Sequence, residues 1–420
     1  MRRRPLQILV LAAVLAALAA PRARAGFGDD EHQFRNEEFP AEFRQRVAES
    51  ILRGANWLLA RQEADGSFAS SYGGYPMGPT ALATLALLKS GLPAGHPRIE
   101  RAFACLRKQD LKKTYEVSVL LMALDAKYAP ASDPFREETV DRYGQRVVEE
   151  PCAEHISKED LAWMRQGVDF LVGAQTDGYW RYPAGGFDLS NTQYALLGLK
   201  AADRCGLKVP QDVWRDALEF LLDHQDKDGE PVALRANEVR GSYRVEWTQP
   251  AHARGFRYVQ GEHAPATGSM TTAGAACLMI CQSMLWSSKR FSPDERERTR
   301  KGLADALAWM QRHFDVSSNP GVARTRHGWH YYYLYGLERM GILGHLRFIG
   351  KSDWYFDGAE LLMFEQADDG GWMGSDVVDS AFALLFLKRS SFRTANPVLT
   401  IPSEVRPAPA PGTTTPGGGR

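Results

Sequence analysis

Residues 366–372, with the sequence QADDGGW, decide the fold because they are one copy of a repeated turn. An apolar stretch with helical spacing precedes the turn, and its glycine accepts the left-handed conformation in which helices commonly end. The chain holds three other complete copies, and two degenerate copies that lack Asp-Gly. The complete copies start at Gln62, Gln175 and Gln225, and the degenerate copies start at Gln109 and Gln311.

A second helix, apolar on most faces, is predicted after each turn. Its six copies align without gaps, for example residues 80–87 with 192–199 and 380–387. A helix that is apolar all round belongs in an interior, whereas an amphipathic stretch such as 213–225 belongs outside. Six outer and six inner helices predict an all-α fold, a closed (α/α)6 toroid. The 50 residues from Gln175 to Gln225 exceed the period of ~34 residues of an open tetratricopeptide solenoid.

The repeats predict one toroid domain over residues 45–392, with an arm over 26–44. Two insertions interrupt it at 127–160 and 230–268, and the second has the composition of a small β-hairpin that can cover the cavity. Residues 1–25 read as a cleavable secretory signal, with three arginines, an apolar run and small residues before the cut after Ala25. Residues 393–420 are rich in Pro, Thr and Gly, which predicts a disordered tail.

Charge and cysteine content exclude some classes of protein. The 51 basic and 51 acidic residues balance, and cleavage of the signal removes five arginines, so the mature chain is mildly acidic. Binding to nucleic acid through bulk positive charge is therefore disfavoured. The five cysteines are an odd number, and Cys277 and Cys281 lie inside an apolar helix, which predicts buried side chains rather than a disulfide scaffold. No motif indicates a cofactor.

The turns resemble the QW-type repeats of the prenyltransferase and squalene-cyclase superfamily. The closest copy is QADDGGW at 366–372, followed by Asp379-Ser380-Ala381-Phe382. The resemblance covers about residues 45–392 and implies the α/α toroid fold. In its overall sequence pattern the chain is similar to uncharacterised secreted bacterial members with prenyltransferase/squalene-oxidase repeats.

In a toroid of this kind the inner helices point their N-termini at one mouth, where we expect the chemistry. Hydroxyl and carboxylate groups at such positions are helix caps, ligand-binding groups, or both. Two neighbouring rings of residues are expected there. The first holds Pro79, Glu116, Asn191, Thr271, Trp329 and Asp379, and the second holds Thr80, Val117, Thr192, Thr272, His330 and Ser380.

The superfamily resemblance implies two chemistries, and the residues fit neither well. In the cyclases the middle aspartate of Asp-x-Asp-Asp-Thr-Ala protonates the alkene, but residues 376–381 read DVVDSA, with Val378 at the acid position. A valine cannot donate a proton. In the protein prenyltransferases an Asp, a Cys and a His hold zinc. Here His327 and His330 offer candidates, but no cysteine stands beside Asp379. No metal site is therefore predicted.

Carbohydrate chemistry is a further alternative, because many (α/α)6 barrels are glycosidases or lyases that use two carboxylates about 5–10 Å apart. The candidate catalytic residues are Asp376, Asp379 and Glu116. The candidate ligand-binding residues are Asp188, Asn191, Thr271, Trp329, His330, Tyr331 and Trp372. Trp180 and Tyr182 are further aromatic candidates, although large aromatic side chains equally fill a core.

The sequence therefore predicts an extracytoplasmic toroid that binds a ligand or a partner through the mouth of its inner helices, without cyclase activity. The alternatives are an enzyme of the terpene cyclase or prenyltransferase type, and a carbohydrate-active hydrolase or lyase. The partner is a small apolar ligand, a carbohydrate or another protein, and no nucleic acid is expected.

Overall fold

The structure, a computed structural model, is mainly helical. It describes residues 39–71, 74–129, 156–182, 186–240, 243–259, 265–289, 291–322, 329–372 and 376–391. These residues form twelve helices and two small antiparallel sheets. The predicted signal and tail, most of the arm and most of the first insertion lie outside this part of the chain, and α1 (Ala41–Ala60) begins within the residues assigned to the arm.

The helices alternate between an outer and an inner layer, and the inner layer closes on itself. The outer helices are α1, α3 (Pro97–Leu106), α5 (Lys158–Ala174), α7 (Gln211–His224), α9 (Pro293–His313) and α11 (Trp354–Glu365). The inner helices are α2 (Gly78–Lys89), α4 (Thr114–Tyr128), α6 (Leu189–Arg204), α8 (Gly268–Leu285), α10 (His330–Leu343) and α12 (Val377–Leu387). Each inner helix contacts the next, and α12 contacts α2. The predicted (α/α)6 toroid is confirmed.

Burial follows the apolar pattern of each layer. In α8 nearly every residue is buried, which agrees with a helix that has apolar or small residues on all faces. In α7 the buried residues are confined to one face, and they include Val213, Trp214 and Leu218. Cys277 and Cys281 are buried free thiols on α8, as predicted.

The glutamine of each complete turn joins two outer helices. The amide nitrogen Nε2 of Gln62 donates to the carbonyl of Arg98 at 2.8 Å, at the start of α3. Gln225 donates in the same way to Gly302 in α9 at 2.9 Å. In the last repeat Gln366 donates to the carbonyl of Ser50 at 3.0 Å, and this bond ties the end of the chain to α1. The turn glutamine thus links one outer helix to the next, and in the last repeat it links the last outer helix to the first.

The turn glycine allows the backbone to approach the next outer helix. Gly66 has φ +94°, and a Cβ atom added there would lie 2.3 Å from the carbonyl oxygen of Arg101. Gly178 has φ +84° and would place its Cβ atom 2.2 Å from the carbonyl oxygen of Asp216. A side chain is therefore excluded by both the backbone conformation and the space.

The aromatic residue after the glycine joins the outer helix before it to the inner helix after it. The backbone N–H of Trp180 donates to the hydroxyl of Thr192 at 3.0 Å, and its indole donates to the carbonyl of Leu171 at 2.7 Å. The last repeat copies this arrangement. Trp372 donates its backbone N–H to Ser380 at 3.1 Å and its indole N–H to Leu362 at 2.8 Å.

The fourth turn is interrupted by the second insertion, which corrects the expected alignment by one residue. Its aromatic residue is Phe256, whose backbone N–H donates to the hydroxyl of Thr271 at 3.1 Å. Thr271, rather than Thr272, therefore takes the place of Thr192 and Ser380. The backbone N–H of Asp226 donates to the carbonyl of Gly255 at 3.0 Å, which brings the two ends of the insertion together.

The insertion forms the predicted hairpin, β1 (Pro231–Arg240) paired antiparallel with β2 (Tyr243–His252). The hairpin lies against the outer helix α9, where Gln311 accepts from Arg235 N at 2.8 Å and donates to the carbonyl of Ala233 at 3.0 Å. The two strands thus lie on the outer layer, whereas Tyr258 of the same insertion contacts the start of α6, where the Leu189 N–H donates to its carbonyl. A second, shorter pair, β3 (Phe348–Ile349) and β4 (Ser352–Asp353), was not predicted.

Candidate functional site

The first turns of the inner helices meet at one end of the toroid, which we call the mouth. Glu116 at the start of α4 contacts the start of α2, where its Oε1 accepts from Met77 N at 2.8 Å and from Gly78 N at 3.2 Å. The side chain is 2 % exposed. Glu116 therefore caps the neighbouring inner helix, whose N-terminal N–H groups have no partner within their own helix.

Asp376 and Asp379 lie at the start of α12. Asp376 is the N-cap residue and accepts from Val378 N at 2.8 Å. It also accepts from the backbone N–H of Ser71 at 2.9 Å and from the Ser71 hydroxyl at 2.7 Å. Asp379 is buried in the first turn of the same helix. The Asp376 carboxylate thus holds the loop before α2 against α12.

Asp188 is the N-cap residue of α6 and lies among four tyrosines. Its Oδ1 accepts from Asn191 N at 2.7 Å, and the carboxylate also interacts with the hydroxyl of Tyr258. The tyrosine cluster consists of Tyr75, Tyr115, Tyr182 and Tyr258. The rings of Tyr75 and Tyr115 are 6.0 Å apart, and those of Tyr75 and Tyr182 are 6.3 Å apart.

The tyrosine cluster is amphipathic and reaches the surface. Tyr258 is 40 % exposed, and Tyr75, Tyr115 and Tyr182 are partly exposed. Tyr182 hydrogen-bonds to both Tyr75 and Tyr258 through the hydroxyl groups. The four residues come from the segments at the starts of four consecutive inner helices. The cluster therefore offers ring faces and hydroxyl groups side by side.

Burial gives Asp188 an unusual carboxylate. The side chain is 4 % exposed. Burial raises the pKa of Asp188 above its ordinary value, because the charged form loses hydration, while the Tyr258 hydroxyl and the Asn191 N–H partly oppose the change. The nearby Asp188 charge, together with burial, raises the pKa of Tyr182. The site therefore combines a desolvated carboxylate with neutral phenols.

A second polar group runs from the mouth into the interior. The hydroxyl of Tyr332 lies 3.2 Å from Ser190 Oγ and donates to Gln193 Oε1 at 2.9 Å. The same oxygen accepts from Nη2 of Arg339 at 3.0 Å. Gln193 and Arg339 are fully buried. These residues were not among the predicted site residues, although the Glu338-Arg339 pair in a mostly apolar inner helix is a visible sequence signal.

The other predicted residues are dispersed. Asn191 is buried beside Asp188, whereas the hydroxyl of Thr271 accepts a hydrogen bond from the backbone N–H of Phe256. Trp372 is fully buried behind its turn. His330 contacts the carbonyl of Val316 at 2.7 Å, and Tyr331 donates to Glu365 of the outer helix α11 at 2.9 Å. Trp329 is 56 % exposed, with a left-handed backbone at φ +54°.

The structure also bears on a possible metal site and on a surface groove. Within the described ranges, no cluster of three or more His, Cys, Asp or Glu side chains is placed to hold a metal ion, and His327 lies outside them. A groove of about 580 Å³ lies between α3 and α5 and is lined by Arg107, Gln109, Trp163 and Phe170, among others. None of the predicted site residues lines it.

Comparisons with known proteins agree on the fold. No family model matches this sequence, and no curated protein matches it. An inactive variant of the alpha-1,6-mannanase GH76A of Salegentibacter sp. HEL1_6, in complex with alpha-1,6-mannotetrose, is 8 % identical with a TM-score of 0.50, over 82 % of this chain and 98 % of that chain. A variant of the type II terpene cyclase MstE from Scytonema with merosterolic acid A is 10 % identical with a TM-score of 0.46, over 84 % and 99 %. The likeness to the mannanase, which is an α/α toroid, is one of fold.

None of the helices in the described part of the chain is long and apolar enough to cross a membrane.

Proposed function

We propose that this protein binds a neutral, hydroxyl-rich ligand of the carbohydrate class at the mouth, on the tyrosine cluster around Asp188. One observation carries the proposal, namely a cluster of four tyrosines from four repeats, three of which interact with one buried carboxylate. Aromatic faces stack on the apolar faces of sugar rings, and phenol and carboxylate oxygens fix the hydroxyl groups. Such a ligand uses both properties of the cluster.

The interior argues against an isoprenoid ligand. Its axis holds the buried side chains of Tyr194, Tyr335, Phe382 and Arg339, and the rings of Tyr335 and Phe382 are 5.7 Å apart. A hydrocarbon chain placed there would displace these rings and leave the guanidinium in an apolar environment, which is costly. An acidic ligand is also disfavoured at the mouth, because Asp188 and Glu116 both act on Tyr75 with negative charge.

The test is a binding titration of the purified protein with a panel of neutral oligosaccharides, alpha-1,6-linked mannose oligomers included. For an oligosaccharide that binds, Tyr182→Ala is expected to weaken the affinity at least about tenfold, or ~1.4 kcal/mol. Asp188→Asn keeps the helix cap and is expected to weaken binding as well, because a carboxylate acceptor is lost.

Asp376→Asn is the matched control, because it alters the same cap position on α12, the inner helix opposite α6. It is expected to bind as the unaltered protein does. The proposal fails when no neutral oligosaccharide binds, or when Tyr182→Ala and Asp188→Asn bind as tightly as the control.

A carbohydrate-cleaving activity is a second candidate, because Asp188 is a buried carboxylate beside the tyrosine hydroxyls and burial shifts its pKa upward, the direction that a general acid requires. Glu116 is the other carboxylate near the cluster, but its Oε1 already caps α2. The test is release of reducing ends from the oligosaccharides that bind. Cleavage that Asp188→Asn abolishes and Asp376→Asn leaves intact would establish an enzyme, and binding without cleavage would establish a binding protein.

The leader adds a location to the proposal. Three arginines at positions 2–4, an apolar run and Ala23-Arg24-Ala25 fit a signal that is cleaved after Ala25. We expect the mature chain to begin at Gly26 outside the cytoplasm. Mass spectrometry of the protein from its native host tests this, since a retained N-terminal methionine and leader would contradict it.

A further inference from the structure

The centre of the toroid contains a buried cation with unused hydrogen-bond donors. Arg339 on α10 is 0 % exposed and donates through Nη2 to Gln193. Its Nε and Nη1 are buried and have no hydrogen-bond partner. Buried polar groups of native proteins are nearly always paired, and an unpaired buried charge is especially costly. The two nitrogens therefore indicate a missing acceptor.

The side chains around Arg339 add further donors. The Nε2 amide of Gln193 is also buried without a partner, and the hydroxyl of Tyr194, which interacts with Arg339, keeps its own O–H group available to a further acceptor. Both residues lie on α6, which meets Arg339 across the interior, and the guanidinium carbon lies 5.6 Å from the centre of the Tyr194 ring. The amide and the guanidinium donate through N–H groups, and the phenol donates through its O–H group. Together these donors form a set that suits an anion.

The nearest carboxylate, Glu338, acts on the Arg339 guanidinium through its charge but forms no ion pair with it. Among the described residues, Arg339 forms no ion pair within 4 Å. The neighbouring Glu338 is engaged elsewhere and accepts from the backbone N–H of Ser391 at 2.9 Å and from its hydroxyl at 2.7 Å. Burial raises the pKa of Glu338 to about 7, so that it carries only part of a charge at neutral pH. The ring centre of Tyr335 lies 4.0 Å from the guanidinium carbon, and the ring face attracts the cation without supplying an oxygen acceptor.

We infer that the interior of the toroid binds one small monovalent anion of the halide class on Arg339, Gln193 and Tyr194. The small size follows from the enclosure, because Gln193 and Arg339 are fully buried and Tyr194 and Tyr332 are 2 % and 9 % exposed. The anion links α6 to α10 and, through Gln193 and Tyr332, supports the mouth. This inference does not depend on the proposed carbohydrate ligand.

The test is the thermal midpoint Tm of the full chain at constant ionic strength, as sodium gluconate is replaced by sodium chloride or sodium bromide. A ligand that binds only the folded state raises Tm with its concentration, and a rise of roughly 3–5 °C is expected at 100 times the dissociation constant. Arg339→Met is expected to abolish this rise. A wild-type Tm that is the same in gluconate, chloride and bromide would overturn the inference.

Arg204→Met is the matched control, because Arg204 is a largely buried arginine that is ion-paired with Asp125 at 3.3 Å. It is expected to retain the chloride-dependent rise in Tm, and loss of the rise in this variant would overturn the assignment to Arg339. Where Arg339→Met does not fold, crystals of the unaltered protein grown in bromide decide the matter. A bromide anomalous peak within hydrogen-bonding distance of Arg339 is expected, and only water there would overturn the inference.

Discussion

Asp188 and Asp376 occupy the same place in two repeats and have different surroundings. Both are N-cap residues of inner helices, α6 and α12, which lie opposite each other in the ring. Asp376 accepts hydrogen bonds from the N–H and the hydroxyl of Ser71, whereas Asp188 is buried beside tyrosines and burial raises its pKa. The repeat thus sets the cap, and residues contributed by neighbouring repeats set the chemistry. Substitutions in the turn that both repeats share, or at only one of the two aspartates, test whether the repeat sets the helix cap while neighbouring repeats set the chemistry.

The largest effect is expected where the two repeats are alike. Trp180→Ala and Trp372→Ala should each lower the free energy of unfolding by about 3–5 kcal/mol, because both indoles are fully buried. Urea unfolding followed by circular dichroism measures the loss. The Phe variants keep most of the packing and should lose less. A large loss at one tryptophan and none at the other would contradict the equivalence of the turns.

The two aspartates should differ in stability. Asp376→Ala should lower the free energy of unfolding by about 1–2 kcal/mol, because it removes a cap and leaves the Ser71 groups without their acceptor. Asp188→Ala should cost less, since the substitution also removes a carboxylate that is desolvated in the folded state. Denaturant unfolding of both variants at neutral pH checks the order, and equal losses would show that only the shared cap matters.

A smaller effect isolates the serine contact. Ser71→Ala should lower the free energy of unfolding by about 0.5–1 kcal/mol, the usual value of one hydrogen bond. The same substitution made together with Asp376→Ala should cost almost nothing more, because the acceptor is already absent. A double-mutant cycle by denaturant unfolding measures the coupling. Additive losses would mean that Ser71 does not act through Asp376.

The smallest expected effect is a gain in stability rather than a loss. Because the folded-state pKa of Asp188 is raised, the folded protein binds the proton more tightly than the unfolded chain does, and stability falls as pH rises through that range. Asp188→Asn keeps the cap and cannot ionise, so it should be more stable than the unaltered protein at pH 7. The gain should vanish below the ordinary pKa of 3.8. Asp376→Asn should be no more stable than the unaltered protein at pH 7, because the Asp376 carboxylate accepts hydrogen bonds from the N–H and hydroxyl of Ser71.

The fold could be predicted from the sequence because the turns carry local chemistry. Gln62 and Gly66 stand four residues apart, and both act on the backbone of the next outer helix. The apolar inner helices can be buried only in an interior layer. The repeat at Phe256 was misaligned by one residue because the hairpin separates this aromatic residue from its glycine, so that the sequence motif is interrupted while the structural contact is kept.

The candidate site could be predicted only in part. The helix N-termini indicated Asp188 and Asn191, but nothing in the spacing indicated that Tyr75, Tyr115 and Tyr258 come together there. These residues lie in different repeats, and their distances depend on the tilt of each inner helix and on the loop before it. The interior group of Gln193, Tyr332 and Arg339 was missed for the same reason, since its members face each other across the ring.

Residues that are near one another in the chain set the number of helices, their alternation between two layers and the positions of the turns, so these features could be predicted without the structure. Which polar side chains share an environment depends instead on how distant repeats pack against each other. Burial, hydrogen-bond partners and electrostatic fields arise between residues of different repeats. Asp188 and Asp376 are therefore indistinguishable as helix caps in the sequence and chemically different in the folded protein.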